Sequence, residues 1–415
     1  MISSAVAADR FPAQAGKIQH VVIVVQENRS FDDLFQGYPG ADTASSGLNS
    51  QGQTIQLQPV SLAATYDIQH FSSDYFAACD GAGSIPGTQC RMDGFDKELA
   101  SGSKLPPNPQ YGYVPATESQ LYFQMAGSYV LADRMFASHL DASFVSLQYI
   151  IAAQANAAVD LPAATWGCGG GKQDVVTTLL SGRTYGPKES ACLDSQTIGD
   201  ELDQKGLPWR FYADPTLGAD WSAYRAIRHI RNGPDWKADV KTPSSRFLTD
   251  LGSGQLAAVT WITPSCQNSD HPGCGSTAGP AWVASIVNAV GASPYWNSTA
   301  IFVMWDEWGG WYDHVPPPYV DYDGLGFRVP LLIVSAYAKQ NHVSHVQYEH
   351  GSILRFVEGA FGLAPLAASD ARATSPAADC FDFRKKPRPF SPFAVRRPAD
   401  ALPTGTSGAL PIDGD

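Results

Sequence analysis

Glu27, Asn28, Asp306 and Glu307 carry oxygen donors and occur as two adjacent pairs far apart in the chain. Each pair directly follows a strand-like run. The first run is Ile18-Gln19-His20-Val21-Val22-Ile23-Val24-Val25-Gln26, leading into Glu27-Asn28-Arg29-Ser30-Phe31-Asp32. The second is Ala300-Ile301-Phe302-Val303-Met304-Trp305, leading into Asp306-Glu307-Trp308-Gly309-Gly310-Trp311-Tyr312-Asp313-His314. Short runs rich in β-branched residues read as buried strands, and in an open α/β sheet ligands collect outside the carboxyl ends of the strands. The four residues are therefore expected at one site. Three carboxylates and an amide oxygen would repel one another there, and a divalent cation relieves that cost.

Other elements must position these groups. Strand patterns fall at 129–132, 208–212, 257–262 and 329–335, and helical periodicity at 118–127, 143–157, 281–290 and 352–361. Strands alternating with helices predict an α/β fold with a mostly parallel central sheet flanked by helices. The stretch 155–256 is expected to be a cap-like insertion over the sheet edge. The stretches 41–57, 106–115 and 362–415 are rich in Pro, Gly and Ser and read as irregular. The expected division is a leader remnant at 1–16, one catalytic domain at 17–363 and an irregular segment at 364–415.

The 415 residues carry 28 basic and 40 acidic side chains, a formal net charge of −12, which argues against nucleic acid as a partner. No apolar stretch is long enough to cross a bilayer, so no stable membrane insertion is expected. The small apolar N-terminus, with Ala5-Val6-Ala7, reads as the remnant of an export signal. Cys79 and Cys90, and Cys266 and Cys274, flank short turn-rich loops and are expected to be disulfides of an exported protein. Cys168 and Cys192 flank a Gly-rich stretch and form a weaker pair, leaving Cys380 over.

Taken in order, several segments resemble the bacterial phosphoesterase family of phospholipases C and acid phosphatases, within the alkaline-phosphatase-like superfamily. They are Glu27-Asn28-Arg29-Ser30-Phe31-Asp32, Met92-Asp93-Gly94-Phe95, the stretch from Asp306 through His314 to Val315-Pro316-Pro317-Pro318, Gly326-Phe327-Arg328-Val329-Pro330, and Tyr348-Glu349-His350-Gly351-Ser352-Ile353-Leu354-Arg355-Phe356. In that family a Ser or Thr at a helix start ligates the metal and takes the phosphoryl group. Here the matching position is Ser143, in His139-Leu140-Asp141-Ala142-Ser143-Phe144-Val145-Ser146. The family's usual context is Gly-Pro-Ser/Thr-x-Pro-Asn, from which these flanks depart, and Ser138 and Ser146 are the other hydroxyls nearby.

The resemblance implies a divalent metal ion, of unspecified identity and number, held by Glu27, Asn28, Ser143, Asp306 and Glu307. It implies Ser143, His70 and His271 as catalytic residues. Substrate contacts then fall to His70, His271 and Asn28, with His229 a weaker one. Asp313 and His314 are either supports for the ligands or structural, and His350 reads as a cap or packing residue. Trp166, Trp221, Trp305, Trp308 and Trp311 read as packing in core or cap rather than as a substrate mouth. The activity implied is metal-dependent hydrolysis of phosphate esters through a phosphoseryl intermediate, with a small phosphate ester or a phospholipid headgroup as partner. A broad acid phosphatase is expected, because the nucleophile is Ser and the chain ends soon after the last landmark. A phospholipase C is the alternative, and an exported binding protein without catalysis a remote one.

Overall fold

A computed structural model describes residues 16–163, 165–214 and 221–395. The leader reading and the end of the terminal segment lie outside them. Eight strands form the central sheet: β1 (His20–Gln26), β2 (Val130–Ala132), β3 (Trp209–Tyr212), β4 (Val240–Lys241), β5 (Val259–Ile262), β6 (Thr299–Trp305), β7 (Leu331–Ser335) and β8 (His342–Ser344). Their order is β4-β3-β5-β1-β6-β7-β2-β8. All neighbours pair in parallel except at β7, which runs antiparallel to both β6 and β2. The expected mostly parallel α/β sheet is what forms.

β1 and β6 lie at the centre, and each is buried along nearly its whole length. That explains their continuous apolar runs, since a strand covered on both faces shows no alternation. Successive side chains leave a strand on opposite faces. Trp305 accordingly packs edge-on to Tyr122 of helix α1 (Gln120–Ser128), while Phe302 packs edge-on to Phe356 on the other side. Each fully buried Val or Ile in these strands contributes roughly 1.5–3 kcal/mol relative to exposure.

Three more helices complete the layers: α2 (Ser143–Ala152), α3 (Gly279–Ala292) and α4 (His350–Phe361), the last carrying Phe356. Every residue of α2 is buried. An apolar helix of that kind fits only inside the molecule. It ends earlier than its Ala-rich sequence predicts. Ala153 adopts the left-handed conformation (φ 56°), as do Asn156 (52°) and Ala157 (61°), which turns the chain away before 157.

The stretch 155–256, expected as a cap-like insertion, contributes to the central sheet as well. Its strands β3 and β4 extend the central sheet, pairing outward from β5. What stands apart is a small antiparallel sheet of Ala158–Val159, Val175–Leu179 and Tyr185–Ser190. The segment after 363 is less irregular than expected: it contains short helices Ala368–Arg372 and Ala377–Cys380. Likewise a hairpin of Ser46–Leu48 and Thr54–Gln56 forms within 41–57. Disulfides join Cys79–Cys90, Cys168–Cys192 and Cys266–Cys274, with Cys380 buried as a free thiol. No helix among the described residues is long and apolar enough to cross a membrane.

Candidate active site

The site grows from the register of β1 and β6. Gln26 lies opposite Trp305, so the residues that follow each strand emerge side by side at the sheet's carboxyl edge. Asn28 turns there with φ 61°, and its backbone N–H donates to Asp306 Oδ1 at 3.0 Å. The loop after Glu307 presses tightly on both neighbours. A Cβ on Gly309 would lie 2.3 Å from the Asn28 carbonyl oxygen, and one on Gly310 2.3 Å from the Ile68 side chain. Only glycine permits that approach at positive φ. Gly309 N–H then donates to Glu307 Oε2 at 2.6 Å, fixing the carboxylate.

Helix α2 begins at the same place. Ser143, its first residue, donates from Oγ to Glu27 Oε2 at 3.1 Å and to Asn28 Oδ1 at 3.4 Å. Glu27, Asn28, Ser143, Asp306 and Glu307 are all fully buried. The two alternative hydroxyls are engaged elsewhere. Ser146 donates to the Asp141 carbonyl at 3.3 Å, and Ser138 to Glu349 Oε2 at 2.8 Å.

His70 comes from the loop after the strand Tyr66–Ile68. Its Nδ1 lies 2.6 Å from the Ile68 carbonyl and its Nε2 3.0 Å from Asn28 Nδ2. A carbonyl can only accept, so His70 Nδ1 carries a proton. The Asn28 amide is placed with nitrogen toward His70 and Oδ1 toward Ser143. Glu307 Oε1 lies 3.7 Å from His70 Nε2.

His271 stands on the loop after β5, closed by the Cys266–Cys274 disulfide. Its Nδ1 faces the Pro272 carbonyl at 2.5 Å, its ring stacks on Trp221 with centroids 5.7 Å apart, and the His70 ring is 6.3 Å away. Gln26 pins this loop, with Nε2 donating to the Asn268 carbonyl at 3.0 Å and Oε1 accepting from Asp270 N–H at 2.9 Å. Asp270 also accepts from the Tyr122 hydroxyl at 2.7 Å and the Trp305 indole at 3.1 Å. Burial pushes its carboxyl up to about 6, against the pull of the Tyr122 bond, Arg29 and the Trp305 bond. Gln26 and Asp270 were not apparent from the sequence, since their role exists only once the loop folds onto β1.

Glu98 is a third residue the sequence concealed. It accepts from the Trp308 indole at 3.2 Å, and burial raises its carboxyl well above the usual range. Arg29 donates to the Asp270 carbonyl at 2.8 Å and lies 3.2 Å from Asp33. Burial pushes the Asp33 carboxyl from 3.8 up to about 7, outweighing the attraction of Arg29. The folded state thus holds this proton more tightly than the unfolded chain, so the associated stability is present below 3.8 and lost as pH rises through about 7. The melting temperature is expected to fall over that interval by on the order of several degrees. Asp33→Asn should flatten the fall, and an unchanged slope in that variant would refute the assignment.

Four positions singled out in the sequence lie outside this cluster. His229, expected as a weaker substrate contact, points its ring nitrogens at Asp194 and Asp200, each at 2.8 Å, half-exposed on the short helix Arg228–Arg231. His350, buried at the start of α4, is held neutral by burial, its ring pushed down to about 3, which fits packing rather than proton transfer. Asp313 and His314 join Asp32 in a group whose ligand atoms lie within 4.8 Å of one another. Arg328 Nε donates to Asp313 Oδ1 at 2.8 Å, and its Nη2 lies 3.3 Å from Asp32 Oδ1. With a guanidinium between the carboxylates, this is an ion network that braces the loop. In it Asp32 raises the His314 ring against the opposing effect of burial.

The main cluster does fit a metal. Its donors are three carboxylates, an amide oxygen and a hydroxyl, all buried, converging from two strand ends and a helix start. Such a hard-oxygen set suits Mg²⁺, Ca²⁺ or Mn²⁺.

Known proteins resemble this chain along most of its length. Phospholipase C B of Mycobacterium tuberculosis is 24% identical over 460 residues, covering 97% of this chain and 85% of that protein. Non-specific phospholipase C1 of Arabidopsis thaliana is 24% identical over 396 residues, covering 84% of this chain and 68% of that one. Among solved structures, a protein in the alkaline phosphatase superfamily from Vibrio parahaemolyticus aligns with a TM-score of 0.41 at 9% identity, over 88% of this chain and 72% of that one, too slight a likeness to argue from. The model of the phosphoesterase family matches residues 18–364, so the chain belongs to the phosphoesterase family and is a phosphoric ester hydrolase.

Proposed function

We propose that the protein is an exported phosphomonoesterase of broad specificity, of the acid phosphatase type, with Ser143 as nucleophile. The observation that carries this reading is the Ser143 hydroxyl, at the first position of α2, 3.1 Å from Glu27 and 3.4 Å from Asn28. Exposed N–H groups at a helix start favour an anion there. Glu27, Asn28, Ser143, Asp306 and Glu307 would hold a divalent cation. Bound there, it supplies Lewis-acid stabilisation of negative charge on oxygen and lowers the hydroxyl's pKa.

The residues divide the remaining work. Ser143 releases its hydroxyl proton to water, and Oγ attacks phosphorus in line, forming the Oγ–P bond as the bond to the leaving alcohol breaks. His70 and His271 bind the non-bridging oxygens. His271, whose Nδ1 is turned toward a carbonyl, presents Nε2 as the group to protonate the departing alkoxide. Water then cleaves the Oγ–P bond and restores the hydroxyl. The disulfides support export, since such bonds persist in oxidising compartments.

A phospholipase C is the second reading, favoured by the names of the relatives. Turnover of p-nitrophenyl phosphate, p-nitrophenylphosphorylcholine and phosphatidylcholine, each with and without a chelator, separates the two. Chelator-sensitive turnover of the monoester at least about tenfold faster than of the diesters is expected. Faster turnover of the diesters would replace the first reading with the second.

A further inference from the structure

A cavity of about 660 Å³ opens in the insertion, and none of Glu27, Asn28, Ser143, Asp306 and Glu307 borders it. The Cys168–Cys192 disulfide ties its walls together, and the helix Arg228–Arg231 closes one side. Lys172, Lys188, Arg228 and Arg231 line it, opposed by Asp174 and Glu189. In a chain of net charge −12 this is a local excess of positive charge.

The acidic side is weaker than its count suggests. The Asp174 carboxylate is committed to its own loop, accepting from Thr165 N–H at 2.8 Å, from Gly170 N–H at 2.6 Å and from the Thr165 hydroxyl. That leaves Glu189 against four cations. Arg228 donates to the Cys192 carbonyl at 2.8 Å and lies 3.9 Å from Asp194, a distant and exposed pairing. Arg231 sits over the Trp236 ring, its Cζ 4.6 Å from the centroid, and its buried Nε has no hydrogen-bond partner. Arg225 reaches the rim, with Nη2 3.8 Å from where a Cβ on Gly169 would sit, and its buried Nε is likewise without a partner.

We propose that this cavity binds a phosphate-bearing anion, separately from the ester that is hydrolysed. Guanidinium groups offer paired donors matched to phosphate oxygens, and the lysines add point charges. The volume accommodates a phosphate together with an attached organic group. The cavity wall also touches helix α2. Trp166, just before Cys168, packs edge-on to Phe144 with centroids 5.4 Å apart, and Cys168 N–H donates to the Arg225 carbonyl at 3.0 Å. A phosphate held here comes from an anionic lipid headgroup or from a soluble phosphate compound, and both present the same chemistry to the cavity.

The test uses the full chain and a triple variant, Lys188→Gln, Arg228→Gln and Arg231→Gln. Titration calorimetry with inorganic phosphate should show two binding events per wild-type chain. One of them should be lost or weakened at least about tenfold in the variant and in raised salt. Hydrolysis of p-nitrophenyl phosphate should be unchanged. Co-sedimentation with phosphatidylglycerol vesicles, against phosphatidylcholine vesicles, then identifies the source. Charge-dependent capture of wild type but not variant assigns a lipid headgroup, whereas phosphate binding without capture assigns a soluble compound. Should the triple variant fail to fold, Lys172→Gln and Lys188→Gln, both at exposed positions, each should weaken the second event by a smaller factor. Identical phosphate stoichiometry and affinity in wild type and folded variants would overturn the proposal.

Discussion

Asp306→Ala is expected to lose most of its bound divalent metal and to hydrolyse p-nitrophenyl phosphate about 10³-fold more slowly, because a metal at such a site stabilises the transition state by several kcal/mol. The loss has two parts. One carboxylate leaves a buried set of oxygen donors, and Asn28 loses the acceptor that holds its backbone at 3.0 Å. Asp306→Asn separates them. Its amide oxygen can still accept from Asn28 N–H but carries no charge. If charge dominates, the Asn variant should resemble Ala in both metal content and rate; if positioning dominates, it should retain much of both. Elemental analysis of the purified variants, alongside their rates, makes the measurement. Full metal content with a wild-type rate in Asp306→Ala would remove Asp306 from the ligand set.

How far the site was legible follows from where its information resides. Glu27, Asn28, Asp306 and Glu307 could be found because a buried strand and the polar cluster that follows it are both local patterns. That β1 and β6 are neighbours is not local. It is set by the register that brings Gln26 opposite Trp305. The same limit hid the direction of β7, since a buried apolar run looks alike in parallel and antiparallel pairing. It also hid the partition of the insertion, where β3 and β4 joined the sheet while the strands at 158–190 did not. Gln26 read as the polar end of a strand, yet it holds the loop that presents His271 through two hydrogen bonds to residues over 240 positions away. His229 shows the same limit from the other side: read as a weaker substrate contact, its imidazole is turned by the fold onto Asp194 and Asp200, partners no local pattern reveals.

Ser143→Ala tests the proposed chemistry most directly, because it removes the proposed attacking atom and little else. The hydroxyl contributes hydrogen bonds to Glu27 and Asn28, but Asn28 remains held by His70 and Asp306. The fold should persist, since alanine suits a buried first helical turn and no side-chain cap is lost there. Turnover should fall by at least about 10⁴-fold, the scale seen when a covalent nucleophile is deleted. Much of the metal should stay, because four of the five proposed ligands are untouched. Ser146→Ala and Ser138→Ala should act differently. Their hydroxyls are bonded to the Asp141 carbonyl and to Glu349, so their loss should alter stability more than rate. Acid quenching of wild-type enzyme during turnover of labelled substrate should place phosphate on the peptide containing Ser143. A label on another residue, or wild-type turnover by Ser143→Ala, would exclude the covalent mechanism. A rate lost without any trapped label in wild type would instead direct attention to water as nucleophile, with Ser143 acting only as a ligand beside Glu27 and Asn28.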